Sequence, residues 1–115
     1  MPITCPENDK YQKFYQFAYG ESPEQFTYIV SCDGSRLLKI GRSKTPEWRL
    51  LVMQVGCPNE LSIVWCWPDD IEAELHEHFA DRKVRGEWYD VGIDEAIQAA
   101  AWLSKRKWKR ETNSA

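Results

Sequence analysis

From Glu7 to Tyr19 the apolar residues Tyr11, Phe14, Tyr15 and Ala18 recur at steps of three, one and three. That is the spacing of one helical face, and Gly20 stands where such a helix would stop. Glu21-Ser22-Pro23-Glu24 reads as a linker, and the β-rich runs Phe26 to Cys32 and Leu37 to Gly41 then flank Asp33-Gly34-Ser35, a hairpin pattern. Thr45-Pro46 supplies a capping side chain and a preset φ, and Gly56 with Pro58 a stop, so a helix is predicted over about 46 to 55. The largely apolar run Leu61 to Trp67 predicts a buried third strand ended by Pro68. Asp69 and Asp70 then open a helix whose buried stripe is Ile71, Leu75 and Phe79. Gly86 to Asp90 looks extended, and Asp94 caps a last helix with an inner face of Ile97, Ala100 and Leu103. The predicted order is α, β, β, α, β, α, short β, α, an α/β domain over residues 26–104. It has an N-terminal helical extension over 1–25 and a basic tail over 105–115.

A length of 115 residues with 43% hydrophobic and 29% charged positions fits one globular domain. No apolar stretch reaches the ~18 to 20 residues of a membrane span, and Met1 to Cys5 has neither a cationic start nor an apolar core. A soluble, cytoplasmic protein with no membrane partner is expected. Cys5, Cys32, Cys57 and Cys66 show no close pairing of the kind zinc sites use, and reduced thiols are expected. The net charge of −3 hides two basic patches. Lys105, Arg106, Lys107, Lys109 and Arg110 surround Trp108, and Arg36, Lys39, Arg42, Lys44 and Arg49 are opposed within their span only by Glu47. Local basic patches on an acidic chain point to an anionic partner such as nucleic acid. The N-terminal aromatics offer a contact for a homo-oligomer.

Further residues carry a resemblance. Phe26-Thr27-Tyr28 and Lys39-Ile40-Gly41 lie eleven residues apart on the hairpin, Arg49 follows on the first core helix, and Glu72 with Leu75 and His76 on the second. In these positions the chain resembles the GIY-YIG endonuclease superfamily. With Gly86-Glu87-Trp88-Tyr89 it resembles the compact branch often labelled a DNA-binding domain in phage and fungal proteins. The resemblance implies a small three-stranded antiparallel sheet flanked by helices. It also implies a metal-dependent endonuclease acting on DNA. Phe26 replaces the first motif's glycine and Lys39 the second motif's tyrosine, and no histidine stands one turn after Arg49, where Met53 is found.

On this resemblance Glu72 would hold Mg²⁺ or Mn²⁺, and Arg49 would clamp a phosphate oxygen pair. Tyr28 would take a proton from water, with Lys39 as the cation that lowers its pKa. His76, one turn from Glu72, would shuttle a proton or touch phosphate, and Arg42, Lys44 and the cations of 105–110 would bind the nucleic-acid backbone. The competing readings are a catalytically inactive nucleic-acid-binding module and a protein interaction module on the same fold.

Overall fold

A computed structural model describes residues 25–113, with side chains through Lys107. The N-terminal aromatic helix expected over 7–19, and the oligomer contact assigned to it, lie outside the described residues. Five strands are present: β1 Phe26–Cys32, β2 Leu38–Ser43, β3 Leu61–Trp67, β4 Lys83–Arg85 and β5 Trp88–Tyr89. The helices are α1 Pro46–Val55, α2 Glu72–His78 and α3 Ile93–Asn113, with a 3₁₀ turn at Ala80–Arg82. The strands form one antiparallel sheet in the order β3-β1-β2-β5-β4. The expected three strands are therefore extended by β4 and β5. Lys83, Val84 and Arg85 are all exposed, so β4 has no apolar alternation to mark it and is defined by backbone pairing with β5. Gly86, at φ 56°, makes the turn between them in a region that side-chain-bearing residues rarely adopt.

Strand alternation divides the core into two layers. Phe26, Tyr28 and Val30 of β1 face one side, where they pack with Leu50 of α1 and with Leu61, Ile63 and Cys66 of β3. Ile29 faces the other side and joins Ile40, Trp65, Ile71, Leu75, Phe79, Ala96 and Ala100, the layer under α2 and α3. Ile29 is opposite Trp65 but Val30 is opposite Ile63, so Val64 is an extra residue in β3. This bulge reverses the phase of the strand and lets Cys66 share a face with Ile63. Thr45 and Pro46 do open α1, but the Thr45 hydroxyl caps nothing; its backbone N–H is instead held by Ser43 Oγ at 3.0 Å. Reduced thiols are found at Cys32 and Cys57, whereas Cys66 is disulfide-bonded, a pairing that sequence spacing alone does not reveal. Among the described residues no helix is long and apolar enough to cross a membrane.

Candidate functional site

Tyr28 on β1 stands opposite Gly41 on β2 and is 1% exposed. A β-carbon at Gly41 would lie 2.6 Å from the Tyr28 hydroxyl and 2.7 Å from its ring carbon Cζ. The missing side chain is therefore what allows the phenol to lie across β2, toward the segment that leads into β5. Burial raises the phenol's pKa, Arg49 opposes the rise, and Glu87 and Glu72 add to it. The phenol stays protonated at neutral pH, as a hydrogen-bond donor. The cation that opposes the rise is Arg49, exposed on the first turns of α1; the sequence reading assigned that part to Lys39.

Glu72 is set in place by a buried threonine. Thr27 is fully buried; its hydroxyl donates to the Asp69 carbonyl at 2.7 Å and accepts the Ile71 N–H at 2.8 Å. These two bonds fasten the turn before α2 to β1 and fix where the helix begins. Glu72 is half-buried; burial first, then the Glu87 carboxylate, raises its pKa, while His76 and Arg42 pull it down. The two acids thus lie close enough for each to oppose the other's ionisation. Lys39 Nζ lies 3.6 Å from Glu87 Oε2 and 3.0 Å from Met53 Sδ, with its side chain 17% exposed. A thioether is a weak acceptor and 3.6 Å a long ion pair, so the ammonium is free to take a stronger acceptor. Tyr28, Lys39, Arg49, Glu72 and Glu87 thus converge from β1, β2, α1, α2 and the β4–β5 turn. Among the described residues no three His, Cys, Asp or Glu side chains form a metal-holding group.

Other predicted site residues have different surroundings. His76 Nε2–H donates to the Ile40 carbonyl at 3.0 Å and its ring lies against Tyr89, so it pins α2 to β2. The basic hairpin patch is largely neutralised: Arg36 pairs with Asp90 at 3.0 Å and Arg42 with Asp70 at 2.7 Å. Lys44 and Arg49 are exposed and form no ion pair among the described residues. Residues 105–110 continue α3, so the basic run is helical. Lys107 Nζ donates to the Asp70 carbonyl at 2.6 Å and lies 3.3 Å from Asp69 Oδ1, and Arg106 stacks over Trp102 at 5.3 Å. Lys107 is thus a fastener that seats the basic end of α3 beside the turn carrying Asp70 and Glu72; the side chains of Lys109 and Arg110 lie outside the described residues. Glu87 was missed by sequence reasoning. Its only signal was its place in Gly86-Glu87-Trp88-Tyr89, because the pairing of β5 with β2 that brings it to Lys39 has no sequence mark.

The family model that matches covers residues 25–104 and describes the T5orf172 domain. The chain belongs to the T5orf172 domain family. No match to GIY-YIG is found, so the resemblance read from the hairpin and helix positions is corrected. The departures fall in the two motifs that name that family, where Phe26 and Lys39 replace a glycine and a tyrosine. The T5orf172 match spans all five strands, α1, α2 and the first half of α3, and includes every member of the cleft. Comparison with curated proteins and with solved structures returns no match.

Proposed function

We propose that this T5orf172 domain binds nucleic acid, DNA foremost, and hydrolyses a phosphodiester bond with the help of a divalent cation. The family is associated with nuclease-like and DNA-binding domains, which supports the binding half of the reading. The observation that carries the catalytic half is the convergence of an exposed arginine, a half-satisfied ammonium, a protonated phenol and two carboxylates on one cleft.

Arg49, with no competing ion pair among the described residues, clamps two phosphate oxygens. Lys39 exchanges the Met53 thioether for a phosphate oxygen, and Tyr28 donates its phenolic hydrogen to the charge that builds in the transition state. Tyr28 acts here as a donor, not as the base the sequence reading assigned. Glu72 and Glu87 are hard oxygen donors, a set that fits Mg²⁺ or Mn²⁺ with its waters retained and a substrate phosphate completing the shell, and does not fit an all-protein cage. Bound there, the ion would offset phosphate charge and make a water more acidic. His76 and Thr27 act by positioning α2. A second reading, binding without cleavage, is favoured because among the described residues no three His, Cys, Asp or Glu side chains form a metal-holding group.

Wild-type protein incubated with plasmid, linear duplex and single-stranded DNA, with and without Mg²⁺ or Mn²⁺, decides between them. Cleavage that requires the ion is expected. Binding to any of these substrates with no cleavage of any of them would establish the non-catalytic reading.

A further inference from the structure

At the end of β1, two free thiols meet. Cys32 closes the strand and Cys57 lies in the loop that leaves α1; both are half-buried and pack against the same apolar layer. Cys32 Sγ–H donates to the Asp33 carbonyl at 3.8 Å, and burial together with the neighbouring Cys57 raises the Cys32 pKa.

The backbone on both sides holds this contact. The Gln54 side-chain amide donates to the carbonyls of Cys57 at 3.2 Å and Asn59 at 2.7 Å, and its oxygen accepts the Leu61 N–H at 2.8 Å. The Asp33 N–H donates to the Glu60 carbonyl at 2.8 Å, which ties the hairpin turn to the same loop. Cys32 also lines an open cavity of about 380 Å³ with Ser31, Asp33, Ser35 and Ser62, through which a small reagent can reach Cys32.

We propose that Cys32 and Cys57 are a modification site at which a small-molecule disulfide of the glutathione type is reduced and an intramolecular disulfide forms. The Cys32 sulfur, losing its proton to solvent, attacks one sulfur of the oxidised reagent and expels the other as a thiol. Cys57 then loses its proton, its sulfur attacks Cys32 in the mixed disulfide, and the second reagent thiol leaves. Two protein thiols are oxidised to one disulfide, and one reagent disulfide is reduced to two thiols. The new bond closes a loop that contains β2 and α1, and so fastens the helix bearing Arg49 and Met53 to the end of β1.

The test needs no nucleic acid, so it stands or falls apart from the proposed function. The full chain is equilibrated over a series of reduced-to-oxidised glutathione ratios, trapped by acid and alkylation, digested, and its peptide masses mapped, once folded and once in urea. A linked Cys32–Cys57 peptide that dithiothreitol removes is expected, with an equilibrium constant at least about tenfold larger in the folded chain than in urea. In Cys57→Ser protein, Cys32 should be recovered only as free thiol or glutathione adduct. Separately alkylated Cys32 and Cys57 across the whole series, preferential linkage of either to another cysteine, or equal constants folded and unfolded would overturn the proposal.

Discussion

Gly41 and Glu72 show how single residues define this cleft. At Gly41 a methyl group would fall 2.6 Å from the Tyr28 hydroxyl, too close for any real contact, and the ring is 1% exposed with little room to retreat. Gly41→Ala should destabilise the fold by ~1 to 3 kcal/mol, as overpacked sites do, and weaken any activity that uses the phenol. Urea unfolding of the variant measures the first effect; an unchanged midpoint would show that the ring does not rest on Gly41. Glu72 has the opposite character, since burial and Glu87 raise its pKa. The folded chain therefore holds this proton more tightly than the unfolded chain. The stabilisation from the protonated form is complete below the ordinary carboxylate pKa and is lost as pH rises through the elevated folded value. Glu72→Gln, a permanently neutral stand-in, should be more stable than wild type at pH 7 in divalent-free buffer, with the difference vanishing at about pH 4 or below. Melting transitions at the two pH values check both the sign and the convergence.

Among the elements, α2 depends most on a distant residue. Thr27 bridges the Asp69 carbonyl and the Ile71 N–H from β1, more than forty residues earlier in the chain, and is fully buried. Thr27→Val keeps the shape and removes both bonds, so a loss of ~1 to 3 kcal/mol is expected from the carbonyl and N–H left unpaired. A loss below about 0.5 kcal/mol in urea would mean that the turn is held by its own contacts. Much of this architecture was legible in the sequence. Pro46 and Gly56 bracket α1, β-rich and largely apolar runs mark β1 and β3, and the Ile71/Leu75/Phe79 stripe marks α2, because each is a local pattern imposed by burial. What escaped was non-local. Exposed Lys83 and Arg85 form a strand only through their partner, the extended run of Gly86 to Asp90 does not show which strand it joins, and Glu87 enters the cleft only because β5 lies beside β2. The acid partners of Arg36 and Arg42 lie 54 and 28 residues away, which is why the hairpin's cations read as an unopposed patch.

Across the whole molecule, charge is arranged so that an acidic chain presents cations where α3 ends. Lys107 is committed to Asp69 and Asp70, whereas Lys105 is exposed and forms no ion pair among the described residues. Neutralising Lys105, Arg106, Lys109 and Arg110 to Gln should lower the slope of log affinity against log salt by up to ~0.9 for each phosphate that is no longer neutralised, with the fold retained. Lys107→Gln should instead lower the melting temperature and leave the slope nearly as it was. An unchanged slope in the fourfold variant would reduce this run to a solvated helix end. The central claim is that the cleft between β1, α1 and α2 reacts with phosphodiesters. Its most direct test is single-turnover cleavage of the substrate that wild type cuts, under Mg²⁺, by Arg49→Ala, a change at an exposed position with no ion pair among the described residues. The account predicts a cleavage rate at saturating DNA reduced by well over tenfold, more than ~1.4 kcal/mol of transition-state stabilisation, with an unaltered melting transition. A folded Arg49→Ala protein that cleaves within about twofold of wild type would contradict it.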